Sequence, residues 1–191
     1  MAELDKLAIR GVRSFGPRDV NIIQFFKPLT VIVGHNGSGK TTIVECLKYA
    51  ATGDLPPHTK GGGFLHDPNM AGTDTVKAQV RLRFRNTHGV RMNCVRNLQV
   101  SKKKGGGLSM KTLEGVLGID DEEAEPHARN SISTRCAELD TEMAALLGVP
   151  RAILEHVLFC QQEEATWPLA EPAILKKRCD ECVEVSRDTK A

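Results

Sequence analysis

The 191 residues, 40% of them hydrophobic and 26% charged, suffice for one domain with a sizeable core and exclude a disordered chain. No apolar run reaches the length of a membrane span, and the N-terminus MAELDKLAIRG lacks a signal-peptide core. The expectation is therefore an intracellular, membrane-free protein whose six cysteines are free thiols. The net charge of +2 is small but segregated: from Asp74 to Lys111, Asp74 is the only acid among Lys77, Arg81, Arg83, Arg85, Arg91, Arg96, Lys102, Lys103, Lys104 and Lys111.

Leu4 to Phe15 reads as a strand running into the turn Ser14-Phe15-Gly16-Pro17, with Asn21 to Phe26 as its hairpin partner. Pro28 to Val33 is a short apolar, β-branched run of the kind found in a buried strand. After a glycine-rich turn, Lys40 to Ala51 has helical spacing, with Ile43, Val44, Leu47, Ala50 and Ala51 inward and Glu45 and Lys48 outward. Gly53 and Pro56-Pro57 end that helix, and His58 to Thr73 reads as a loop. Val76, Ala78, Val80, Leu82 and Phe84 then alternate with polar residues in a half-buried strand with a basic outer face. Asn86 to Gly89 turns the chain, and Val90 to Val100 returns beside it.

Lys102 to Gly107 is a basic tip, and Asp120 to Pro126 an acidic loop. A helix is predicted from about Thr134 to Leu147, with Leu139, Met143, Leu146 and Leu147 inward and Gly148 as its cap. Pro150 suits the start of a second short helix, because its missing N–H is no loss there. Val157 to Cys160 resembles another buried strand, and the charged stretch from Glu171 has helical composition with no terminating signal.

Gly34-His35-Asn36-Gly37-Ser38-Gly39-Lys40-Thr41 matches G-x-x-x-x-G-K-[ST] at every fixed position, after a predicted strand and before a predicted helix. Glycines let backbone N–H groups turn inward around phosphate oxygens, and the following helix aims its positive end at the same anion. Lys40 suits the β- and γ-phosphates of ATP, and the Thr41 hydroxyl suits Mg²⁺. Asn36, Gly37, Ser38, Gly39 and Thr42 complete the nucleotide-binding stretch. An acid ending a second apolar strand, an Asn-Lys-x-Asp guanine motif and a Leu-Ser-Gly-Gly-type signature are not found, so the chain reads as part of an active site. The competing readings are a stand-alone P-loop kinase or NTPase, and a DNA-binding or scaffold module whose nucleotide is structural.

Several further segments carry a resemblance: Gly11 to Gly16, the phosphate loop through Tyr49, Thr52 to Pro57, Thr59-Lys60-Gly61, Lys111 to Gly115, and Phe159-Cys160-Gln161-Gln162-Glu163-Glu164 with Trp167-Pro168-Leu169. Together they resemble the N-terminal half of the eukaryotic Rad-fifty family, the SMC-like ATPases of the DNA double-strand-break repair complex. The resemblance implies an α/β P-loop fold: residues 1–170 form the N-terminal lobe of an ATP-binding-cassette-type head with an antiparallel subdomain, and 171–191 begin a coiled-coil helix. It implies partners as well: the C-terminal lobe of the same protein, a second copy of the head as a homodimer, a repair nuclease subunit and double-stranded DNA. A nuclear, chromosomal location follows from the same likeness, and zinc is expected only at the apex of the full-length coiled coil.

By the same likeness Gln162, with Gln161 beside it as the other register, matches the glutamine that contacts Mg²⁺ and senses the γ-phosphate, and Arg13 matches a basic residue that reaches the nucleotide. His35 stands where the family commonly has proline or a small residue. The tip Lys102-Lys103-Lys104 suits phosphate contacts without base readout, and the resemblance makes DNA the polyanion, with Lys60, Lys111 and Arg129 as further candidates. Cys179 and Cys182 have no second pair at zinc-site spacing and are expected to face a packing seam.

Overall fold

The computed structural model describes residues 2–57, 59, 62–103, 105, 107–120, 131–134, 136–159, 171–173, 175, 176, 179, 180 and 182. Its framework is a seven-stranded sheet in the order β2-β1-β3-β4-β6-β7, with β5 also paired to β4 and every pairing antiparallel. Strand β1 (Glu3–Arg10) pairs with β2 (Asn21–Gln24), and β3 (Thr75–Arg85) forms a long hairpin with β4 (Arg91–Lys102). Strands β5 (Leu108–Thr112), β6 (Gly115–Ile119) and β7 (Ser131–Thr134) complete it.

The alternation along β3 is borne out. Val76, Ala78, Val80, Leu82 and Phe84 are fully buried, whereas Lys77, Arg81 and Arg85 are exposed on the opposite face. Burial of each large side chain contributes about 1.5–3 kcal/mol, so a register slip, which would exchange the two faces, is strongly disfavoured.

Helix α1 (Lys40–Thr52) and helix α3 (Cys136–Leu147) pack on the apolar face, with the short helix α2 (Pro68–Ala71) beside β3 and β4. Leu139, Met143 and Leu147 are buried as predicted, and Gly148 follows at φ 68°. Pro150 precedes the short helix α4 (Arg151–Ile153), as its position suggested. Residues 172, 173, 175, 176, 179, 180 and 182 are helical. Among the described residues no helix is long and apolar enough to cross a membrane.

The structure corrects several expectations. The stretch from His58 to Thr73, expected as a loop, holds helix α2, and Thr134, expected to begin a helix, ends β7 instead. Residues 28–33 form no strand: the Thr30 hydroxyl accepts from the Phe26 N–H at 2.8 Å and donates to its carbonyl at 3.1 Å, closing a local turn. No strand among the described residues pairs with this run, and Leu29, Val31 and Val33 are 73%, 71% and 87% exposed. The first strand ends at Arg10 rather than Phe15, because Gly11 at φ 70° breaks the extended chain. On α1 the buried face is Thr42, Glu45, Cys46, Tyr49, Ala50 and Ala51, while Ile43, Val44 and Leu47 are only half-buried. Finally, Val157 and Leu158 belong to a π-helical turn (Leu154–Leu158) that continues α4 and is closed by the Phe159 N–H on the Leu154 carbonyl at 3.0 Å. An apolar run this short does not by itself distinguish strand from helix. Cys160, the last residue of that expected strand, lies outside the described residues.

Candidate nucleotide-binding site

The loop Gly34–Thr41 requires glycine at two places for stated reasons. Gly37 and Gly39 take φ of 81° and 93°, a region that L side chains rarely occupy. A β-carbon on Gly39 would also lie 3.3 Å from the Phe15 ring, which packs beneath the loop. Within the loop the Ser38 N–H donates to the His35 carbonyl at 3.2 Å. The Lys40 ammonium donates to the carbonyls of Gly34 at 2.7 Å and His35 at 2.8 Å, so a positive charge is held against the loop's own backbone. Helix α1 makes its first bond from the Ile43 N–H to the Gly39 carbonyl at 3.0 Å, leaving the N–H groups of Lys40, Thr41 and Thr42 without intrahelical acceptors.

His35, Asn36, Gly37, Ser38 and Thr41 are exposed, so this cradle is open to a ligand. Thr42 is buried, which restricts its contribution to the backbone. Helix N–H groups, a lysine and an accessible hydroxyl fit a nucleoside triphosphate with Mg²⁺: the amides and Lys40 would hold phosphate, and Thr41 would hold the metal. Gln161 and Gln162, the candidates for a second metal contact, lie outside the described residues.

Arg13 sits on the segment that carries Phe15. It has φ 43°, a strained value for a side-chain-bearing residue, and three contacts hold it there. Its N–H donates to the Phe64 carbonyl at 3.1 Å, and His66 Nδ1 donates to its carbonyl at 2.6 Å. Its guanidinium pairs with Glu45: Nη2 donates to Oε1 at 3.0 Å, and Nη1 lies 2.7 Å from Oε2 without hydrogen-bonding to it. The side chains of Arg13 and Glu45 are 33% and 8% exposed. Glu45, expected to face outward, is thus turned inward because a cation 32 positions earlier meets it there. Burial pushes its carboxyl above the ordinary range, against the downward pull of Arg13.

The far end of α1 is also anchored by charge. Arg96, counted from the sequence among the basic residues of a polyanion face, is instead buried. Its Nε donates to the Ala50 carbonyl at 3.0 Å, Nη1 pairs with Asp140 at 2.6 Å, and the guanidinium lies 5.6 Å from the centre of the Tyr49 ring. Ala50 belongs to the last turn of α1, so Arg96 satisfies a carbonyl that the helix itself leaves open. Arg96 is in phase with the inward residues Met92, Cys94, Leu98 and Val100 of β4, so the alternation places it inside where its charge alone suggests the surface, and both it and Glu45 meet partners distant in sequence.

Of the basic candidates, Lys102, Lys103 and Lys111 share the β4–β5 hairpin and are all exposed. Lys102 stands opposite Leu108 and Lys111 opposite Gln99, three residue steps apart or about 10 Å along the strands. Lys102 also approaches Asp74 at 3.8 Å. Lys60, Lys104 and Arg129 lie outside the described residues. Arg83 on the outer face is engaged by Asp120. Cys46, Cys94 and Cys179 are free thiols, and the Cys182 thiol lies 4.0 Å from the Ala152 carbonyl. Cys179 is exposed, so only Cys182 of that pair faces a neighbouring element. Among the described residues no three His, Cys, Asp or Glu side chains gather as a metal site.

Residues 6–188 match a family model described as an AAA domain. Over 191 residues the chain is 56% identical to the DNA repair protein rad50 of Schizosaccharomyces pombe and 51% identical to the DNA repair protein RAD50 of Saccharomyces cerevisiae. Over 194 residues it is 45% identical to the DNA repair protein RAD50 of Arabidopsis thaliana. Each alignment covers 100% of this chain and 14% of the relative, so the chain spans about one-seventh of their length.

Proposed function

The chain belongs to the AAA domain family, within its Rad50 branch, and from that premise we propose that it is the ATP-binding lobe of a DNA repair ATPase. ATP joins two such heads into a homodimer, which clamps double-stranded DNA and controls an associated repair nuclease in the nucleus, on the chromosome. The observation that carries this reading is the phosphate loop together with what leads into it. An open cradle with Lys40 held at its rim is preceded by Leu29, Val31 and Val33, whose apolar side chains lie bare. A hydrophobic run of that kind beside a catalytic loop calls for a covering element, and the C-terminal lobe of the same protein is the proposed cover.

In the joined head Lys40 and the free N–H groups of α1 hold the β- and γ-phosphates, and Thr41 with Gln162 (or Gln161) holds the metal. Mg²⁺ neutralises charge on the transferred phosphoryl group when bound. Arg13 reaches the nucleotide from the side, and positioning with electrostatics supplies most of the rate. The acids that orient the attacking water belong to the C-terminal lobe, and zinc belongs to the coiled-coil apex of the full-length protein. Lys102, Lys103 and Lys111 contact DNA phosphates, and Lys60, Lys104 and Arg129 extend that surface.

The test is Mg-ATP turnover by this chain alone and after co-folding with the C-terminal segment of the same protein. Turnover only in the joined head, abolished by Lys40→Ala, is the expected result. Full turnover by the chain alone would sink the split-site reading in favour of a stand-alone P-loop enzyme.

A further inference from the structure

The ion pair between Arg13 and Glu45 uses only part of the arginine. A guanidinium has five N–H donors, and Glu45 Oε1 accepts one of them, from Nη2 at 3.0 Å, while Oε2 lies 2.7 Å from Nη1 as an ion-pair contact without a hydrogen bond. One hydrogen bond and one close charge contact thus hold the group against Glu45, while its other N–H groups keep capacity on a side chain that is one-third exposed. The backbone is committed as well, because the left-handed Arg13 is held by Phe64 and His66. Two residues on, Phe15 packs against Gly39 of the phosphate loop. Glu45 itself is four residues beyond Thr41 on α1, one helical turn or about 6 Å along the axis from the loop. A buried carboxylate at that distance works against the helix's affinity for phosphate unless its charge is matched, and Arg13 matches it.

We propose that Glu45 is a positioning residue for nucleotide binding: it locks the Arg13 guanidinium in a pre-set orientation whose remaining donors face the nucleotide. This rests on the reading of the phosphate loop as an ATP site. Glu45 does not touch the nucleotide. It removes the ordering cost that a free arginine side chain would bear on binding, and so acts on affinity rather than on the chemical step.

The experiment uses the full-length protein with Glu45→Gln, Arg13→Ala, their double variant, and Lys40→Ala as the control for the site itself. Equilibrium dialysis with radiolabelled ATP gives Kd, and steady-state turnover separates KM from kcat. The expected result is a roughly tenfold weaker Kd and higher KM for Glu45→Gln, with kcat at saturating ATP within about twofold of the parent. The double variant binds no more weakly than Arg13→Ala alone, because Glu45 acts through Arg13. Arg13→Lys keeps the charge, loses the fork and gives an intermediate Kd; it carries the test if Glu45→Gln does not fold. Unchanged Kd and KM in Glu45→Gln, or additive losses in the double variant, overturn the proposal. If Lys40→Ala also leaves ATP binding intact, it is the site assignment that fails.

Discussion

Replacing Asp140 by alanine strands a buried cation. Arg96 is 4% exposed and Asp140 20%, their charged atoms are 2.6 Å apart, and Asp140 is the acid that pairs with this arginine. Removing one partner of a buried pair costs about 3–5 kcal/mol, and the partial exposure of Asp140 admits water that places the figure at the lower end, about 3 kcal/mol. For 150–250 residues 1 kcal/mol moves the midpoint of thermal unfolding by about 2–4 °C, so in the larger joined head a drop of at most roughly 6–12 °C is expected by differential scanning calorimetry. The companion variant Arg96→Met with Asp140→Ala removes the stranded charge and recovers part of that loss. Recovery stays incomplete, because the bond to the Ala50 carbonyl and the contact with Tyr49 go with the arginine. A loss below about 1 kcal/mol in Asp140→Ala, or a double variant less stable than the single, would refute the argument that burial makes this pair costly to break.

Two more outcomes can be checked. Burial pushes the Cys46 thiol to about 12 and the Cys94 thiol to about 11, so at pH 8 only about one Cys46 in ten thousand is a thiolate, and Ellman's reagent should label Cys179 while sparing both in the native protein. Both thiols titrate above their unfolded value of 9.0; the native state holds protons that the unfolded chain has released, and stability falls as pH rises from about 9 toward 12. The slope is about 1.4 kcal/mol per pH unit for each thiol, seen as a urea midpoint that declines less steeply in Cys46→Ala. Changing Lys102, Lys103 and Lys111 together to alanine should lower the salt dependence of duplex DNA binding, log Kobs against log[salt], by about 0.9 in slope for each lysine that meets a phosphate and by at most about 2.7, without altering sequence preference. An unchanged slope removes the hairpin from the DNA surface.

Features set by local chemistry were legible in the sequence. The phosphate loop announces itself because its glycines, lysine and threonine are demanded by one ligand over eight consecutive positions. The β3–β4 hairpin was readable because Val76 to Phe84 alternate without interruption around the turn at Asn86 to Gly89. Glu45 and Arg96 were misplaced for a common reason: charge suggests solvent, even where, as at Arg96, the alternation of β4 points inward, and only a distant partner, Arg13 or Asp140, makes the interior tolerable. The 28–33 run carries the composition of a buried strand, but composition says nothing of where its hydrogen-bonding neighbour comes from. The grip on Arg13 by Phe64, His66 and Glu45 was out of reach because it joins three segments that share no pattern.

The pairing order of the sheet has a bearing on how the domain assembles. β1 with β2, β3 with β4, β4 with β5, and β6 with β7 are neighbours in sequence, so most of the ladder closes over short loops at small entropic cost. The phosphate loop is secured otherwise: Cys94 and Arg96 reach the end of its helix across 44 and 46 positions, and Arg13 reaches Glu45 across 32. The β3–β4 ladder can therefore form early, whereas the pairing of β1 with β3 and the contacts that anchor α1 join residues far apart in sequence and close later. Bound nucleotide would then act as a late fastener, raising protection from hydrogen exchange at α1 more than in the β3–β4 ladder.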